Sequence, residues 1–134
     1  MAMAPEEGTC HEENTLTVTL KEVLAQPRHY DRQCITVQGY TGFRSLFLSR
    51  WDARQKGAPS RASLAGKRVG LSVLPSNDKV WEALEKGNTV SVTGMLWFCE
   101  DYQFWMGGYC HYTSGPFIGV VSAERIKTGP RSAP

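Results

Sequence analysis

Positive charge is concentrated in the middle of the chain, between residues 28 and 68. Nine Lys and Arg side chains stand there against two carboxylates, Asp31 and Asp52, so the segment has a formal charge of +7. The first 14 residues, in contrast, carry four Glu and no Lys or Arg. This asymmetry favours an anionic partner for the middle of the chain, and keeping a long loop soluble explains the same charges equally well.

Aromatic rings stand among these cations. Planar rings stack on unpaired bases, while guanidinium and ammonium groups bind phosphate oxygens, so the combination predicts a site for single-stranded nucleic acid. The predicted site residues are Phe43, Arg44, Phe47, Arg50, Trp51, Arg54, Lys56, Arg61, Lys67 and Arg68. A structural role for the rings competes with this prediction, because aromatic side chains in small barrels often belong to the core.

A second aromatic group lies nearer the C-terminus. Its members are Trp97, Tyr102, Phe104, Trp105, Tyr109 and Tyr112. Glu100 and Asp101 stand beside them and would repel a phosphate backbone, so an exposed patch here favours a protein partner. The alternative function is therefore a protein-interaction module that uses the aromatic hairpin 97–112, in the cell envelope if a signal peptide has been removed. Rings that bury one another in a folded hairpin explain the same pattern.

The sequence carries no motif for catalysis, metal binding or a cofactor. It lacks GxSxG, HExxH and GxGxxG, and His11, His29 and His111 are scattered without an evident nucleophile. Its four cysteines form no CxxC pair, which argues against a zinc site. A disulfide such as Cys99 to Cys110 is expected in an oxidising compartment, and buried thiols are expected in the cytosol. We therefore predict a protein that is not an enzyme, with no metal and no cofactor.

Five strands are predicted to position these side chains. After a short extended lead-in at residues 15–20 and one helical turn before Pro27, alternating apolar residues mark the strands. The predicted strands are residues 34–40, 45–51, 67–74, 88–98 and 117–126. In the second strand, Leu46 and Leu48 share one face while Phe47 and Trp51 share the other. Residues 54–66 are expected to form a mobile loop because they are rich in Gly, Ser and cations.

One short helix is predicted between the third and fourth strands, at residues 78–86. Ser76 or Asn77 supplies its N-cap, and Val80, Trp81 and Leu84 form its buried stripe. Three strands, a helix and two strands are the element order of the OB fold, a five-stranded Greek-key barrel in which the helix closes one end. We therefore predict an all-β fold with one short helix, an OB barrel that binds its ligand across the first three strands.

Three stretches resemble small stand-alone OB-fold proteins of bacteria. They are residues 20–39, which run from a helical turn through a proline to a strand ending in glycine, residues 87–94, and Gly108 with residues 109–112. The resemblance covers about residues 15–126 as a pattern. It implies the OB barrel and a binding role, but no particular ligand, because OB proteins bind nucleic acids, sugars, metals or proteins.

The chain is predicted to contain one domain, residues 15–127, between an acidic disordered tail at 1–14 and a flexible tail at 128–134. No apolar run approaches the ~18 residues that a membrane-spanning helix needs. No secretory signal is recognised either, so a cytoplasmic location is expected unless a signal peptide has been removed.

Overall fold

The computed structural model describes residues 10, 14–42, 45–53, 67–73, 77–85, 89–102 and 115–126. These residues form six strands and several short helices. The strands are β1 (Leu16–Thr17), β2 (Cys34–Gly42), β3 (Ser45–Phe47), β4 (Arg68–Ser72), β5 (Thr89–Phe98) and β6 (Pro116–Arg125). The helices are α1 (Leu20–Ala25), a 3-10 turn (Pro27–Tyr30), α2 (Arg50–Ala53), α3 (Asp78–Ala83) and α4 (Cys99–Tyr102). The prediction of a single short helix is therefore corrected.

The strands close into a five-stranded mixed barrel. β2 pairs with β3 and β3 with β4, both antiparallel, and β4 pairs parallel with β6. β6 and β2 each pair antiparallel with β5, which completes the circle. This is the strand order of the OB fold, so the predicted fold is confirmed. The two-residue strand β1 adds parallel to the outside of the barrel, at the start of β2.

The core follows the alternation of the strands. Val90, Val92, Leu96 and Phe98 all lie in one buried cluster, as the pattern of β5 predicts. Their spacing by two residues holds through Gly94, although the pairing with β6 shifts register between Thr93 and Gly94. Burial of a side chain of this size contributes roughly 1.5–3 kcal/mol, so this cluster is the main source of stability.

Helix α3 lies where an OB barrel places its capping helix. The side chain of Asn77 accepts a hydrogen bond from the Val80 amide at 3.4 Å, which confirms the predicted start of the helix. Val80 is buried in the barrel core, whereas Trp81 is 37% exposed. The prediction that Trp81 belongs to the buried stripe is therefore wrong, because the short helix turns only a narrow face towards the barrel.

The N-terminal segment is linked covalently to the barrel. Cys10 is buried and forms a disulfide with Cys34 at the start of β2, so this residue of the predicted disordered tail is held against the sheet. Cys99 is also disulfide-bonded. The one remaining cysteine of the sequence, Cys110, lies outside the described residues.

Candidate nucleic-acid interface

Three side chains form a row across the outer face of the barrel. Tyr40 of β2 pairs with Phe47 of β3, and Phe47 pairs with Arg68 of β4. Their neighbours Leu46 and Val69 belong to the core, so the row must point outwards. In OB proteins this outer wall, formed by the second and third barrel strands, is the usual place for a ligand.

Phe47 does not lie open on this wall. Its ring is 0% exposed and packs with Ala53 and Tyr40 in a small cluster outside the main core. Gly42 permits this arrangement, since a Cβ atom at that position would stand 2.5 Å from the Ala53 carbonyl oxygen. The prediction that Phe47 is a stacking platform is therefore corrected: the ring holds α2 against the barrel.

The second predicted strand ends early because the chain turns into α2. The strand stops at Phe47, and the amide of Leu48 makes one more cross-strand bond, to the Lys67 carbonyl at 3.1 Å. The Ser49 hydroxyl then accepts a hydrogen bond from the Asp52 amide at 3.1 Å and donates to the Asp52 carboxylate at 3.0 Å. These local bonds favour a helical turn over a longer strand.

Helix α2 presents two of the predicted site residues. The side chain of Trp51 is 71% exposed, the largest exposure among the large apolar side chains of the described residues. The guanidinium carbon of Arg50 lies 5.4 Å from the centre of the Tyr40 ring, a distance typical of a cation–π contact. Tyr40 was not predicted, although its outward position follows from the alternation of β2.

The start of β4 adds two cations to the same wall. Lys67 is exposed, and its backbone is bonded to Leu48 just before α2. Arg68 is half-buried and donates a hydrogen bond to the Ser45 hydroxyl at 3.3 Å. We define the α2 surface as Arg50, Trp51, Lys67 and Arg68. The other predicted site residues, Phe43, Arg44, Arg54, Lys56 and Arg61, lie outside the described residues.

Arg28, a member of the basic segment, has a structural role elsewhere. Its guanidinium carbon lies 3.8 Å from the centre of the Phe98 ring, and it donates to the Asp101 carboxylate at 2.8 Å. The hydrogen bond from Arg28 lowers the pKa of Asp101 and raises the pKa of Arg28 itself. This ion pair binds the 3-10 turn to α4, at the start of the long connection between β5 and β6.

The prediction of an exposed protein-binding patch is wrong for its first residue, Trp97. Trp97 is only 6% exposed and packs with Cys99 and Phe117, so its ring is not on the surface. Tyr102 ends α4, and its side chain is not among the described ones. Phe104, Trp105, Tyr109 and Tyr112 lie outside the described residues, so exposure of the hairpin stays a prediction.

Comparisons with protein-family models and with curated proteins identify no relative. No protein-family model matches the chain, and the search of curated proteins finds no match. No helix within the described ranges is long and apolar enough to cross a membrane.

Proposed function

We propose that this protein is a non-catalytic binding module that binds single-stranded nucleic acid through the α2 surface. The observation that carries the proposal is the exposure of Trp51, 71%, beside Arg50 on a helix that the buried Phe47 ring holds in place. A ring on a fixed support loses little conformational freedom when a base stacks on it. The cations of the α2 surface would follow the phosphate backbone.

The affinity for a single strand should fall steeply as the salt concentration rises. Each phosphate that a cation neutralises on a single strand contributes about −0.7 to the slope of log affinity against log salt concentration, so three cations contribute about −2. We expect a labelled oligothymidylate to bind the full chain with a slope at least this steep. Binding that does not depend on salt would rule out phosphate contacts at this surface.

Two substitutions separate base stacking from simple attraction of a polyanion. Trp51→Ala should reduce oligothymidylate affinity by about 1–3 kcal/mol while leaving the weaker attraction of polyphosphate unchanged, because polyphosphate has no bases to stack. Trp81→Ala on α3 is the matched control, since Trp81 is a partly exposed tryptophan on a different helix. Equal losses for both ligands, or for both variants, would contradict stacking on Trp51.

A second pair of variants tests the contribution of positive charge to binding. Arg50→Ala should reduce the salt slope by about 0.7, whereas Arg125→Ala, an exposed arginine at the end of β6, should leave it unchanged. If both variants change the slope equally, the protein attracts nucleic acid by its overall charge and the α2 surface is not the site.

We further propose that the protein works in an oxidising compartment. The disulfide between Cys10 and Cys34 and the disulfide-bonded state of Cys99 support this location, because such bonds rarely persist in the cytosol. Of the two locations that the sequence left open, this proposal favours export over the cytoplasm. It is tested by comparing the folded yield of the chain produced in an oxidising and in a reducing compartment, where equal yields with free thiols in both would contradict it.

A further inference from the structure

A groove of about 410 Å³ lies beside the α2 surface, between the N-terminal lead-in and the outer face of β2. This is the size of many small-ligand sites. The groove is lined by Thr17, Val18, Thr19, Leu20, Lys21, Glu22, Thr36, Gln38 and Leu48. These residues belong to β1, α1, the connection between them, β2 or the turn after β3.

Within the described part of the chain, one edge of β2 is unpaired at this groove. The Thr36 carbonyl accepts a hydrogen bond from the Val18 amide at 3.0 Å, so the N–H and C=O of Thr36 face β1. Because these groups alternate along a strand, those of Gln38 face the same edge. On that edge, the pairing with β1 ends at Thr36 and the pairing with β3 begins at Tyr40. Among the described residues, no backbone group pairs with Gln38 there.

The chemistry of the groove matches an extended peptide. A strand-like segment would supply the donor and acceptor that the Gln38 backbone lacks, which is how peptides add to open sheet edges. The distance from Thr36 to Tyr40 along β2 is about 13 Å, room for a paired segment of about two or three residues. Leu48, which is 45% exposed at the groove, offers a contact for an aliphatic side chain.

The charges of the groove disfavour a nucleic-acid strand there. Lys21 and Glu22 both line it, so their formal charges cancel. The Glu22 carboxylate accepts hydrogen bonds from the Thr19 amide at 2.9 Å and hydroxyl at 3.1 Å, and the backbone bond is the main reason that the pKa of Glu22 is lowered. Glu22 is therefore ionised at neutral pH and offsets the attraction of Lys21 for a phosphate.

We propose that this groove binds a short, uncharged, extended peptide segment, which pairs with the backbone of Gln38 and places an aliphatic side chain against Leu48. The site is distinct from the α2 surface and does not depend on the proposed nucleic-acid function. Its occupant is recognised by main-chain hydrogen bonds and one apolar contact, so the expected sequence requirement is a single aliphatic residue.

The probe is the blocked tripeptide acetyl-Ser-Leu-Ser-amide, titrated into the isotope-labelled full chain and followed by backbone amide chemical shifts. We expect saturable shifts of the Gln38 amide and of the groove residues, with a dissociation constant of about 1 mM, which is typical of so small a contact. Methylation of the leucine N–H in the peptide should weaken binding about tenfold, because it removes the hydrogen bond to the sheet edge.

Leu48→Ser should weaken binding of the same peptide by about tenfold through loss of the apolar contact. Leu16→Ser is the matched control, since Leu16 is 51% exposed but does not line the groove. Absence of a saturable Gln38 shift, equal binding of the methylated peptide, or equal effects of the two variants would overturn the proposal. Saturable shifts of the Gln38 amide caused by oligothymidylate would overturn it as well, by making the groove part of the nucleic-acid site.

Discussion

Gly42 lies directly beneath Ala53, so that a Cβ atom at position 42 would stand 2.5 Å from the Ala53 carbonyl oxygen. This close approach brings the end of α2 onto the outer wall of the barrel. The α2 surface therefore depends on a residue with no side chain in a neighbouring strand. A substitution at Gly42 should therefore displace the proposed binding surface without changing any of its four residues.

We expect Gly42→Ala to displace α2 and to lower the free energy of unfolding by about 1–3 kcal/mol, the usual effect of overpacking a tight contact. Urea unfolding measures the stability, and oligothymidylate affinity reports the position of Arg50 and Trp51. An unchanged unfolding midpoint together with unchanged affinity would show that α2 does not rest on Gly42.

Phe47 and Trp51 should differ sharply in their effects on stability. Phe47→Ala is expected to lower the free energy of unfolding by about 3–5 kcal/mol, because it empties a fully buried site. Trp51→Ala should change it by no more than about 0.5 kcal/mol, as for most exposed positions. Urea unfolding of both variants tests this contrast. Equal effects would mean that Phe47 is not the support of α2.

The disulfide between Cys10 and Cys34 should stabilise the barrel mainly by restricting the unfolded chain. The bond joins residues 24 positions apart, and closing a loop of this length contributes about 3.5 kcal/mol. Replacing both cysteines by Ala should therefore lower the free energy of unfolding by about that amount under oxidising conditions. Peptide mapping without reductant should recover the two cysteines in one linked peptide, and separate peptides would contradict the pairing.

The ion pair between Arg28 and Asp101 should be visible in the titration of Asp101. The hydrogen bond from Arg28 lowers the pKa of this carboxyl below its ordinary value of 3.8. The contribution to stability is therefore fully present above about pH 3.8 and is lost as the pH falls through the lowered value. Carbon-detected titration of the carboxyl tests this directly. In Arg28→Ala the pKa should rise towards 3.8, and an unchanged value would show that the pair does not form in solution.

Much of the barrel could be predicted from local patterns. Alternation identified β2, β4, β5 and β6 and the inward residues of β5, because a strand with one buried face must repeat every two residues. The cap of α3 at Asn77 was likewise predictable, since a side-chain acceptor before a free backbone N–H acts over three residues only. The element order then implied the OB topology.

The candidate site could be predicted only in part. The identities of Arg50 and Trp51 were clear from composition, but alternation placed Trp51 and Phe47 together on an exposed strand face. In the structure Ser49 starts a helix instead, and the helix covers one ring while it exposes the other. The signal that distinguishes the two outcomes is a serine three residues before an aspartate, Ser49 and Asp52. This signal is weak in the sequence alone.

The sequence by itself therefore determined β2, β4, β5 and β6, the cap of α3 and the charge of the central segment, because these depend on neighbours within a few positions. The tertiary structure decided which ring is buried, which edge of β2 stays open beside the groove, and which cysteines pair. Each of these depends on the approach of segments far apart in the chain, such as Gly42 beneath Ala53 and Cys10 beside Cys34. No local pattern encodes such contacts, because they depend on how separate segments pack against one another.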